Sequence, residues 1–254
     1  RKEIEFLATA DLTEEERLAR YKQTAEYQAR QARLQAWERE QAYQSYRQGE
    51  REEAQPVKSE LDSAAYQLGL ILSPNFTAQE ADVIVVAASR LAQQMGGPNV
   101  FRQELGTVKV IKDYLMSYGG LADKGKITLN TGTGFDSWRV THELAHAWDA
   151  NYGWHLSGKM QQALGSGFRH PILHFLFPDN PDYWYDSGDG PPPAGIDKNF
   201  NAKEDFAESV TAYLYPDKAL ILAQQRNYPY ENFLETARGK FIQDLFEYLG
   251  KEGR

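Results

Sequence analysis

The chain has 254 residues, 41% of them hydrophobic and 25% charged, enough to bury a sizeable core and unlike a disordered or membrane-embedded protein. Its formal charge is -8 and no basic patch emerges, which argues against a nucleic-acid partner because an acidic surface repels phosphate backbones. Cysteine is absent, which excludes disulfides, a thiol nucleophile and any cysteine-held metal.

The longest apolar runs, 68–72 and 83–88, are too short to cross a bilayer, so no membrane span is expected. The chain opens on Arg1 without a signal-peptide pattern and reads as a processed or trimmed form. Secreted and cytoplasmic settings both fit, the former slightly better.

Residues 13–54 are predicted as one long helix. Thr13 and Glu16 make a capping box, and the body is rich in Gln, Ala, Arg and Glu. Its stripe of Leu18, Tyr21, Ala25, Ala29, Ala32, Ala36, Tyr43 and Tyr46 has helical spacing, but alanine buries little apolar area. A solvated tether is the plainer reading, and a docking arm for a protein partner the more functional one. A boundary is expected at Gln55-Pro56, leaving 1–56 as a helical extension and 57–254 as a compact domain.

Within that domain, Thr77 and Glu80 predict a capped helix with Ala81, Ile84, Ala88, Leu91, Ala92 and Met95 on one face, ended by Gly96-Gly97. Residues 107–111 and 126–130 read as short strands, and 137–151 as a helix. A Pro-, Gly- and Asp-rich loop spans 176–201, and helices follow near 202–214, 217–225 and 231–249. The fold class expected is α+β, predominantly helical, with a short antiparallel sheet.

The sharpest chemical signal is His142-Glu143-Leu144-Ala145-His146. Residues four apart on a helix share one face, so both imidazoles can reach a single cation. Glu143 projects beside them and is placed to act as general base on water. Val140, Leu144 and Trp148 supply an apolar stripe, and neither glycine nor proline interrupts 137–152. His170 and His174 are also four apart, but Pro171 lies between them and a packing role is expected there.

A hydrolytic metal site needs a third protein ligand and an open position for water. A histidine ligand of the H-x-x-G-x-x-H type would need glycine at 149 and histidine at 152, where the chain has Asp149 and Tyr152. The segment 201–209 is the better source, because Glu204 and Glu208 are again one helical turn apart. One carboxylate can bind metal while the other accepts a ligand imidazole's free N–H, and Asp205 stands as a further alternative.

His142 to Asn151 together with Glu204 to Glu208 resembles the gluzincin zinc metallopeptidases, most of all the lethal-factor-like branch and more distantly thermolysin. The likeness covers roughly 126–215. It implies a zincin-like fold, one zinc ion, and hydrolysis of peptide or protein substrates. It makes Glu204 the third ligand and Glu208 the carboxylate behind a ligand histidine. It also implies that strand 126–130 lies along the cleft edge and pairs with substrate backbone. An oxyanion donor is implied too, with Tyr183 and Tyr185 the candidates and Tyr213 and His155 behind them. Competing expectations are a zinc-stabilised binding module with little turnover, and a latent peptidase covered by its own helix or loop.

Overall fold

The structure is a computed structural model and describes residues 58–113, 119–132, 135–165, 167–168, 185–186, 200–225 and 232–252. All belong to the second of two units into which the chain divides, Pro56–Arg254. The extension predicted over 1–56, its partner-docking role, the loop residue Tyr183 and the pair His170 and His174 lie outside the described residues.

The described residues form a predominantly helical α+β arrangement with eight α-helices and a small mixed sheet. In chain order they are α1 (Lys58–Gln67), β1 (Leu70–Leu72), α2 (Ala78–Met95), α3 (Pro98–Leu105), β2 (Val108–Lys112), β3 (Gly120–Asp123) and β4 (Lys126–Leu129). Then come α4 (Ser137–Asn151), α5 (His155–Leu164), β5 (Gly167–Phe168), β6 (Tyr185–Asp186), α6 (Ala202–Leu214), α7 (Pro216–Gln225) and α8 (Ala237–Glu252). None of the described helices is long and apolar enough to cross a membrane.

The main sheet runs β1-β2-β4-β3, and only β3 is antiparallel to its neighbour. This corrects the antiparallel sheet expected from sequence. Parallel strands need a long crossover, and α2 with α3 supplies it between β1 and β2. The strand predicted over 126–130 is not an edge either: β4 is paired on both sides, to β2 and to β3. Its buried Ile127, Thr128 and Leu129 are the apolar run of an interior strand, whereas β3 alternates between half-buried and exposed residues. Among the described residues the edges of this sheet are β1 and β3, and the one beside β4 is β3.

The helices follow their local signals. At α2 the Thr77 hydroxyl accepts from Glu80 N–H while the Glu80 carboxylate accepts from Thr77 N–H, at 3.2 and 2.7 Å. Its apolar face is wholly buried, and Gly96 ends it in the left-handed region (φ 102°) that a side chain disfavours. Helix 231–249 is corrected at its start. A 3-10 turn over Phe233–Glu235 comes first, Thr236 is extended, and its hydroxyl accepts from Gly239 N–H to cap α8.

Trp148 joins the helices that carry the site. Fully buried on α4, it lies 5.6 Å from Phe206 of α6 and 5.9 Å from Phe246 of α8, ring centre to ring centre. Its indole N–H donates to Glu104 at 3.0 Å, so the one polar atom of the ring is satisfied.

Candidate metal centre

Helix α4 begins where the Asp136 side chain accepts from Arg139 N–H, fixing the start of the turn that carries the histidines. With Val140, Leu144 and Trp148 turned into the core, His142 and His146 share the remaining face. Their rings stand nearly perpendicular at 84°, and the two Nε2 atoms are 3.1 Å apart.

Helix α6 brings the carboxylates. Asn201 caps it through Lys203 N–H, and Phe206, Ala207 and Val210 are fully buried. Glu204 Oε2 lies 3.2 Å from His142 Nε2 and 3.3 Å from His146 Nε2. One turn on, the buried Glu208 places Oε2 3.4 Å from His142 Nδ1. That contact suits an Nδ1–H donor and leaves the Nε2 lone pair directed at Glu204 and His146.

Three donor atoms thus form a nearly equilateral triangle. A proton can bridge only one of its edges, while a single cation on its axis satisfies all three lone pairs. His142, His146 and Glu204 are the one group of this kind among the described residues. The electrostatics agree. Burial works to lower the His142 pKa, but hydrogen bonds to Glu204 and Glu208 and the charges of Glu208 and Glu143 outweigh it, and it is pushed up to about 10. Burial raises the Glu204 carboxyl, yet both histidines hold it well below the usual carboxylate range. That proton must leave before Nε2 can ligate, and the same negative charges that hold it attract the cation that would displace it.

Glu143 is buried against β3. A Cβ added at Gly120 would lie 2.3 Å from Glu143 Oε1 and 2.5 Å from its Cγ, so only glycine leaves room for this carboxylate. One helical turn earlier, Arg139 packs against Gly119 and donates to the Asn130 carbonyl at 3.1 Å. Burial pushes the Glu143 carboxyl above its ordinary range, against the lowering charges of His142, His146 and Arg139.

Other expected site residues fall elsewhere. Asp205, an alternative ligand from sequence, is fully buried in a pair with Arg238 of α8, Nε to Oδ1 at 2.6 Å. It braces α6 and is not one of the three clustered donors. Tyr213 is nine residues beyond Glu204, about 13 Å along the helix axis, and packs on Phe246. His155 is exposed, with Nδ1 against the Tyr152 carbonyl. Within the loop predicted over 176–201, Tyr185 belongs to the short strand β6, paired with Phe168.

Gly120 was not singled out from sequence, although its place in the Gly119-Gly120 pair was a legible sign of close backbone approach. Trp154 and Lys203 were missed as well. No family model matches the chain, and no curated protein or solved structure matches it either.

Proposed function

We propose that this protein is a zinc-dependent endopeptidase of zincin-like fold, with His142, His146 and Glu204 as ligands and Glu143 as general base. The carrying observation is the triangle of donor atoms, with edges of 3.1, 3.2 and 3.3 Å. Ligands at tetrahedral angles and zinc bond lengths of 2.0–2.1 Å lie about 3.3–3.4 Å apart, so the donor set fits that ion with little movement. Two imidazoles and one carboxylate also leave a fourth position for water, as hydrolytic zinc sites require.

Bound there, zinc would polarise a peptide carbonyl and lower the pKa of water towards neutrality. Glu143 takes the proton from the attacking water and delivers it to the leaving amine. Its raised affinity for a proton suits both halves of that task. Glu208 holds His142 in the tautomer that presents Nε2.

The outer strand supports a peptide as substrate. Asn130 N–H donates to the Gly119 carbonyl, and in an antiparallel ladder the next pair, Gly120 with Leu129, turns its backbone groups outward. Gly120 and Ala122 therefore offer N–H and C=O groups to an added strand that would pass beside Glu143. The role expected for strand 126–130 belongs, in this reading, to β3.

The test is metal analysis of the purified full chain together with cleavage of a mixed peptide library. One zinc per chain and cleavage that Glu143→Gln abolishes, with zinc retained, are expected. Near-normal turnover in Glu143→Gln would refute the assignment.

A further inference from the structure

At the C-terminal end of α4 stand two side chains with no part in the chemistry above. Trp154, in the turn before α5, is the one non-glycine residue with positive φ (66°) among the described residues. That conformation is strained for a large side chain. It brings the indole against His146, ring centres 6.4 Å apart and 68° between planes. Over the indole lies the Lys203 ammonium, 3.7 Å from the ring centre, one residue before Glu204. Lys203 makes no ion pair among the described residues, so its ammonium is held there by the ring.

An ammonium seated on an aromatic face is positioned by the ring yet keeps donors for an anion. The spans of 6.4 and 3.7 Å place this one no more than about 10 Å from the His146 ring, the reach of about three residues of extended peptide. The surrounding charge is of the other sign: Glu143, Glu204 and Glu208 crowd the site, and the chain carries a net -8. An acidic substrate approaching here would be repelled without a compensating cation, and Lys203 is placed to supply it.

We infer that Lys203, held on Trp154 beside the metal ligands, forms a carboxylate-binding subsite selecting an acidic side chain or a free C-terminal carboxylate within about three residues of the scissile bond. The inference rests on the peptidase reading for its substrate and on Lys203 and Trp154 for its chemistry.

Two measurements separate these. The full chain without metal, labelled with 15N at tryptophan, is titrated with N-acetylglutamate α-amide, with N-acetylalanine and with the neutral N-acetylglutamine α-amide. The Trp154 indole resonance, assigned through Trp154→Phe, is expected to move with a carboxylate probe only, and to stay still in Lys203→Met. The first two probes distinguish a side-chain from a terminal carboxylate. In the zinc-loaded chain, peptides differing only in Glu against Gln near the cleaved bond, or in terminal acid against amide, are then compared. At one position the acidic member should show roughly tenfold higher kcat/KM, carried by KM. Lys203→Met should remove that preference and spare the neutral peptide, and Lys203→Arg should retain it. Equal rates for acidic and neutral peptides, or a preference that survives Lys203→Met, would overturn the subsite and leave the peptidase standing. An indole response through Lys203 with no peptide cleaved would overturn the peptidase and retain the carboxylate site. Silence in both measurements would overturn both.

Discussion

Gly120 and Glu143 compete for the same space: the position a Cβ would take on Gly120 lies 2.3 Å from the Glu143 carboxylate oxygen. The backbone of β3 is thereby one wall of the Glu143 niche, and the absence of a side chain is what allows the wall to stand so close.

Gly120→Ala is expected to displace the Glu143 carboxylate and lower peptide turnover by about a hundredfold, the cost of an ångström-scale misplacement. Zinc content should not change, since no ligand is touched. Turnover and metal analysis on the same preparation check it. Undiminished turnover would mean that β3 yields instead of the carboxylate.

The two glutamates of α6 are expected to separate by role. Glu204→Ala removes one corner of the triangle and should release the metal at micromolar protein and metal concentrations. Glu208→Ala removes only the partner of His142 Nδ1 and should weaken metal affinity by roughly 10–100-fold. Competition with a chromophoric chelator measures both. Full stoichiometry and unchanged affinity in Glu204→Ala would move the third ligand elsewhere.

Arg238→Met should destabilise the domain by roughly 3–5 kcal/mol, because it removes the buried guanidinium that the fully buried Asp205 carboxylate pairs with. Arg238→Met with Asp205→Asn should recover part of that loss. Urea denaturation with the metal state held constant reads both. Since Asp205 adjoins Glu204, metal affinity is expected to fall in the single variant more than in the double.

Glu80, at the start of α2, gives a pH dependence through groups other than His142, His146 and Glu204. Burial raises its carboxyl, but Lys112, with Nζ 2.6 Å away, and the bonds to Thr77 hold it at about 2 against an ordinary 4.5. A depressed folded-state value contributes stability above the unfolded value and loses it as pH falls through the folded one. This contribution, on the order of 1 kcal/mol once solvent screening of the partly exposed pair is allowed for, is therefore present above about pH 4.5 and lost progressively towards pH 2. Glu80→Gln should flatten the stability curve over that window. An unaltered curve between the two proteins would contradict it.

Much of the local architecture was legible in the sequence because local signals are short-ranged. The box at Thr77 and Glu80, the stripe of Val140, Leu144 and Trp148, and the pairs His142/His146 and Glu204/Glu208 all depend on the 3.6-residue period and on caps within one turn. The break at Thr236 was missed although it too is local: its hydroxyl caps α8 from three residues away, and a Cβ on Gly239 would lie 2.2 Å from the Phe233 carbonyl, so the turn and α8 interlock there.

By itself, then, the sequence determined which side chains share a helical face and hence which pairs can act together. Only the tertiary structure decided that α6 turns Glu204 and Glu208 towards α4 while Asp205 goes to Arg238. It alone placed β3 outside β4 with Gly120 over Glu143, and Lys203 on Trp154. The reason is physical: periodicity encodes a direction around one element's axis, whereas the partner found there is chosen by burial and packing between elements far apart in the chain.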